Sequence, residues 1–192
     1  MNMTAVAEAS RMRPGRITPL TDAAAALLRE TRGIVAAVEA TQYTRGCDAA
    51  DGGTIGQHVR HLAAHFDALT HGFENDSPVH YDRRARGTVV ETDPVAAIEL
   101  LDQLLGEIDG LDDVQLHMPV RIRVLPSPGE PEIDLDSSLG RELAFVTHHA
   151  IHHHAMMKFI AGQLGVPMEA GVGRAPSTQQ ADTKQAGTKD VG

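Results

Sequence analysis

Two long stretches of this 192-residue chain space their buried-type residues at alternating steps of four and three. In one, Ile55, Val59, Leu62, Phe66, Leu69 and Phe73 follow without a break. In the other, the series is Leu139, Leu143, Val146, Ala150, His153, Met157, Ile160 and Leu164. A period near 3.5 is the seam of a helix packed lengthwise against other helices. Each stretch carries its own boundaries. Thr54 with Gln57 is a capping-box pattern, in which hydroxyl and amide each satisfy an orphan backbone N–H. Ser137 or Ser138 opens the second stretch, and Gly165 and Pro167 close it.

Two more segments share the helical period. After Thr18 or Thr21, the residues Leu20, Ala24, Leu27, Thr31, Ile34, Val35 and Val38 mark one face. Asp93 as N-cap and Pro94 at the first helical position open another, with Ile98, Leu101, Leu105 and Ile108 as its stripe and an end near Gly110. Between the third and fourth helices the period changes to two. Val120, Ile122 and Val124 alternate with Arg121 and Arg123, and Ile133 and Leu135 alternate with Glu132, Asp134 and Asp136. The turn PSPGEP lies between them, so this is a hairpin with opposed charges on one face. A lone hairpin is marginal and must lean on the helices. The expected fold class is all-α: a four-helix bundle with a short β-hairpin inserted between helices three and four. Residues 75–91 read as an irregular connection. Residues 1–17 are expected to be a flexible N-terminus, 18–174 the bundle, and 175–192 a polar, disordered tail with no apolar period.

Composition narrows function. Lys and Arg number 17 against 26 Asp and Glu, a net charge of −9, and the chain has no Trp and few other aromatics. Such a surface repels phosphate backbones and offers no stacking platform, which argues against nucleic acid as a partner. The single Cys47 excludes a disulfide framework and a cysteine-only metal site, and fits a reducing compartment. No apolar run is long enough for a signal core or a membrane span, so a cytoplasmic protein is expected, with no membrane partner.

Eleven residues are histidine, and eight of these fall on two of the helices. His58, His61 and His65 lie at about −60°, −120° and −80° from the seam of the second helix, a stripe along one flank. The opposite flank carries Arg60 and Asp67. On the fourth helix are His148, His149, His152, His153 and His154. His149 and His153 form H-x-x-x-H, which sets two imidazoles on one face about 6 Å apart, a chelating spacing. His148 points away, and His152 and His154 leave the seam on either side. A buried histidine is often only a core residue, but several imidazoles aimed at one interior need partners. Three such ligands leave a position open, as catalytic sites do. Wheel geometry sets His58 and His65 nearer the seam than His61, so it leaves the second-helix ligand open.

The pairing of TIGQHVRHLAAHF on an early helix with FVTHHAIHHHAMM on the last resembles the DinB-like (DinB/YfiT-type) putative metalloenzymes, over roughly residues 18 to 170. In that family one histidine of the second helix and a later H-x-x-x-H hold one divalent ion, nickel or zinc, with iron a further option. The family pattern of aliphatic, any residue, His, aliphatic is met by Val59-Arg60-His61-Leu62. The resemblance therefore implies His61, His149 and His153 as ligands. Where many members continue with Arg-Gly-Gln, this chain has His154-Ala155-Met156. Characterised relatives use a low-molecular-weight thiol such as mycothiol or bacillithiol, which implies a thiol-dependent S-transferase or isomerase acting on a small molecule. Family members also form homodimers.

Around the ligands, His58, His65, His152 and Glu142 are candidates for supporting or pocket residues. Glu142 also suits a first-turn dipole role. Tyr81, Arg83 and Arg86, in the run that includes Arg84, are candidates for binding an acidic substrate group or for a solvated loop. Cys47 reads as an incidental thiol. The rival function is a non-catalytic metal-binding or stress-response protein. A hemerythrin-type di-iron bundle lacks its bridging carboxylates here, and a metalloprotease lacks H-E-x-x-H.

Overall fold

A computed structural model describes residues 19–83 and 85–189. The N-terminal segment expected to be flexible, and Arg84, lie outside the described residues. In chain order the helices are α1 (Pro19–Ala37), α2 (Ala40–Tyr43), α3 (Ile55–Glu74), α4 (Pro94–Asp109), α5 (Asp113–Leu116), α6 (Leu139–Gln163) and α7 (Pro176–Lys189). The strands are β1 (Val79–His80), β2 (Pro119–Val124) and β3 (Ile133–Ser138).

The bundle is built from α1, α3, α4 and α6. Each packs on two neighbours: α1 on α4 and α6, and α3 on the same two. The boundaries follow the sequence signals. Thr54 Oγ1 accepts from Gln57 N at 3.0 Å while Gln57 Oε1 accepts from Thr54 N at 3.2 Å, the reciprocal capping box. Asp93 caps α4 with Pro94 in its first turn, and Ser138 caps α6. Gly165, at φ 74°, follows the end of α6 in the left-handed region glycine tolerates. The seams face inward: Ile55, Val59, Leu62, Phe66 and Leu69 of α3 and Leu139, Leu143, Val146, Ala150, Met157 and Ile160 of α6 are all buried. In α1 the innermost leucine is Leu28, with Leu27 half-buried at the rim.

β2 and β3 form the expected antiparallel hairpin, with Arg121 opposite Asp136 and Arg123 opposite Asp134. The second pair is bonded, Arg123 Nη2 to Asp134 Oδ2 at 2.7 Å. Two features depart from expectation. The connection 75–91 is not wholly irregular: Val79 and His80 add a strand parallel to β2, giving sheet order β1-β2-β3. Val79, buried beside Ile122, earns that place by apolar contact. The C-terminal tail, expected to be disordered, forms helix α7. Pro176 suits a helix start and Gln, Ala and Lys are good helix formers. Arg174 pairs with Asp182, yet residues 177–183 are all exposed, so that part of α7 buries no apolar face.

One glycine sets the spacing of the bundle. A Cβ at Gly56, in the first turn of α3, would lie 2.1 Å from the Glu91 carbonyl oxygen. Only glycine lets that connection cross the helix so closely.

Candidate metal centre

α3 and α6 lie side by side, so the histidine flank of one meets the histidine face of the other. His61 Nε2 is 3.0 Å from His149 Nε2, and His153 Nε2 is 3.0 Å from His149 Nε2. One ring nitrogen from each of His61, His149 and His153 lies within 4.8 Å of the other two. His153 is buried, while His61 and His149 are half-buried, so the cluster sits at the edge of the bundle interior.

The surroundings hold the rings. His58 Nδ1 faces His153 Nδ1 at 2.9 Å. Burial pulls the His58 imidazole below its ordinary pKa, and His152 adds to this. His153 is lowered to about 2, chiefly by burial and then by His61, His149, His58 and His152 around it. It is therefore a neutral imidazole at any physiological pH, the form a metal ligand needs. His65, buried, donates Nδ1–H to the His61 carbonyl at 2.8 Å. Its ring packs on His149 with centroids 4.3 Å apart. His152 is exposed, 5.2 Å ring to ring from His153.

An aromatic wall flanks the cluster. Tyr81 stacks on His65 at 5.3 Å and 13°, Phe145 stacks on His149 at 5.9 Å and 16°, and Tyr81 and Phe145 touch at 5.3 Å. Glu142 is almost wholly buried and does not reach the histidines. It accepts from Tyr81 Oη at 3.0 Å, from Ser137 Oγ at 2.6 Å and from Arg141 Nη1 at 2.6 Å. Burial, then Glu142, pushes the Tyr81 phenol far above its usual value, so it is a fixed hydroxyl donor. Glu142 thus places Tyr81, and through it the wall.

The other substrate candidates stand elsewhere. Arg83 is exposed and holds Glu132 of the hairpin turn through Nε at 2.9 Å and Nη2 at 2.8 Å. It lines a cavity of about 530 Å³ together with Arg60, Asp67 and His71, on the flank of α3 away from the three histidines. Arg86 is exposed in the same connection. His148 is exposed. His154 is wholly buried, with Nδ1 2.9 Å from Glu30 Oε2 and Nε2 2.7 Å from Thr31 Oγ1. It ties α6 to α1. Sequence reasoning set it only off the seam, because its partners lie more than a hundred residues away and carry no local signal.

Solved structures share this architecture. A DinB-like protein of Bacillus subtilis superposes with a TM-score of 0.56, covering 79% of this chain and 97% of its own, at 12% identity. YfiT from Bacillus subtilis, a probable metal-dependent hydrolase with an unusual four-helix bundle topology, gives 0.53, covering 82% and 94%, at 19% identity. The chain therefore has the DinB-like four-helix bundle fold. No family model matches the sequence. A 108-residue segment, 56% of the chain, is 33% identical to FK506-binding protein 5 of Rhizopus delemar and spans 28% of that protein. No described helix is long and apolar enough to cross a membrane.

Proposed function

We propose that this chain is a DinB-like metal-dependent enzyme that holds one divalent ion through His61, His149 and His153. The observation that carries the reading is the convergence of three ring nitrogens, two adjacent pairs at 3.0 Å, at the edge of the interior. The fit is close. Tetrahedral nitrogens about 2.1 Å from an ion stand about 3.4 Å apart, a few tenths of an ångström more than the two 3.0 Å pairs that His149 makes. Three imidazoles suit zinc or nickel, with iron next. YfiT's description as a probable metal-dependent hydrolase and the shared fold support the same class.

Bound there, the ion would act as a Lewis acid on a small molecule, polarising a carbonyl or activating water or a thiol. The chain's own residues do the rest. His58 holds His153, His65 packs against His149, and the Tyr81–Phe145 wall bounds the cluster on one side. The half-buried His61 and His149, beside exposed Phe145, favour an enzyme over a storage or stress-response protein, which would enclose its ion. Within the class, a thiol-dependent S-transferase or isomerase and a hydrolase differ in one observable: only the former needs an added low-molecular-weight thiol for turnover.

The test is elemental analysis of protein purified without metal-affinity resin, with single alanine variants. About one equivalent of zinc, nickel or iron per chain is expected, lost in His61→Ala, His149→Ala and His153→Ala and kept in His148→Ala. A wild-type chain without metal refutes the reading.

A further inference from the structure

Glu142 is only 1% exposed, and the metal reading leaves this carboxylate unused. Burying such a group is costly unless donors meet it. Its two oxygens divide the work. Oε1 accepts from Ser137 Oγ and from Arg141 Nη1, each at 2.6 Å. Oε2 accepts from Tyr81 Oη at 3.0 Å. One oxygen thus anchors the carboxylate to the end of β3 and to its own helix turn, and the other is given to Tyr81. Glu142 stands seven residues before His149, about 10 Å along the axis of α6, so it acts at a distance or not at all.

Four rings close a circuit beyond it. Tyr81 meets His65 at 5.3 Å, His65 meets His149 at 4.3 Å, His149 meets Phe145 at 5.9 Å, and Phe145 meets Tyr81 at 5.3 Å. Tyr81 therefore backs both His65 and Phe145, which pack on His149. Burial does not fix Phe145, since its side chain is 40% exposed. Contacts hold it instead: Tyr81, and the Arg141 guanidinium 5.9 Å from its centroid. Both of those partners are bonded to Glu142. His149 in turn is the histidine that His61 and His153 both meet, at 3.0 Å each. An imidazole lone pair lies in the ring plane, so a turn of this one ring alters both sides of the centre.

Resting on the metal reading above, we propose that Glu142 is a positioning residue for the metal centre: acting through Tyr81, and through the His65 and Phe145 rings that Tyr81 backs, it fixes the orientation of His149. The agent is the hydrogen bond to the phenol rather than the negative charge. The outer partners of metal-bound imidazoles commonly act this way, by holding the ring rather than touching the ion.

The probe is cobalt(II), whose visible absorption bands report coordination geometry. The full chain is stripped of metal, loaded with cobalt, and titrated against a chromophoric chelator. Tyr81→Phe keeps the ring and removes the donor. Glu142→Leu keeps the bulk and removes the acceptor. Each should shift the bands and weaken cobalt binding by about three- to tenfold, less than loss of a group bonded directly to a ligand. Their effects should not add in the double variant, since each breaks the same bond. Glu142→Gln, which still offers the phenol an acceptor, should retain the wild-type spectrum. His154→Ala is the control for damage to the fold alone: a lower melting temperature with unchanged bands. Wild-type bands and affinity in Tyr81→Phe overturn the proposal, and this variant decides should Glu142→Leu fail to fold. A Glu142→Gln spectrum as altered as that of Tyr81→Phe also overturns it, as does an equal shift in His154→Ala. A wild-type chain that takes up no cobalt refutes the metal reading itself, and the positioning role falls with it.

Discussion

His58 Nδ1 lies 2.9 Å from His153 Nδ1, and one proton must lie between them. His153 turns its Nε2 toward His149. If that nitrogen is to coordinate, a neutral His153 carries its hydrogen on Nδ1 and donates it to His58. The pair thus assigns the tautomer of a ligand, the usual office of the groups behind metal-bound imidazoles.

Replacing His58 by alanine should then leave one metal per chain but lower its affinity, by roughly ten- to a hundredfold. His58→Gln, which can still accept a hydrogen bond, should recover part of the loss. Competition with a chromophoric chelator measures both. Loss of metal stoichiometry in His58→Ala, with His61→Ala still loaded, would make His58 the ligand.

His154→Ala separates structure from metal. The side chain is wholly buried and bonded to Glu30 and Thr31, so its removal should cost about 2–3 kcal/mol of stability, read in urea. At temperatures where the variant is folded it should hold a full equivalent of metal. Metal loss from folded His154→Ala would contradict this division.

Acid should weaken the metal-free protein. Unfolded, His153 titrates near 6.5, whereas in the fold it does so only at about 2. Between those values the unfolded chain binds a proton that the native one does not, so stability falls as pH drops below about 6.5. One such group contributes at most about 1.4 kcal/mol per pH unit, and His58, shifted the same way, adds to it. The melting temperature of chelator-treated protein should decrease from pH 7.5 to 5.5, before most carboxylates titrate. A rise over that interval would show that the buried imidazoles do not govern the response.

Truncation before Pro176 should shift the melting temperature by no more than about 2 °C, since residues 177–183 of α7 are exposed. Val172, buried against the bundle, must be kept. A loss of many degrees would mean that α7 holds the bundle together.

What the sequence made legible was periodic. The seams of α3 and α6, their caps, and the hairpin alternation all express local rules, and each lies where those rules put it. The site was less legible, and the wheel of α3 shows why. It measures angle from that helix's own seam, so it ranks His58 and His65 ahead of His61. Which flank meets α6, and how far along, depends on packing between helices almost a hundred residues apart. In the fold His58 is drawn behind His153, His65 is spent on the His61 carbonyl, and His61 meets His149. The strand at Val79 and His80 was invisible for a similar reason. Two residues have no period, and their pairing with β2 is a long-range event.

β3 ends at Ser138 and α6 begins at Leu139, with no residue between them. That seamless joint acts as a clutch between hairpin and ligand helix. One residue inserted there would turn α6 by about 100° relative to the sheet, swinging His149 and His153 off their line with His61. The turn over residues 125–132 has no such leverage, since length added at its tip spins nothing. Length can be added at that tip without moving the ligands; at the joint itself the tolerance is zero.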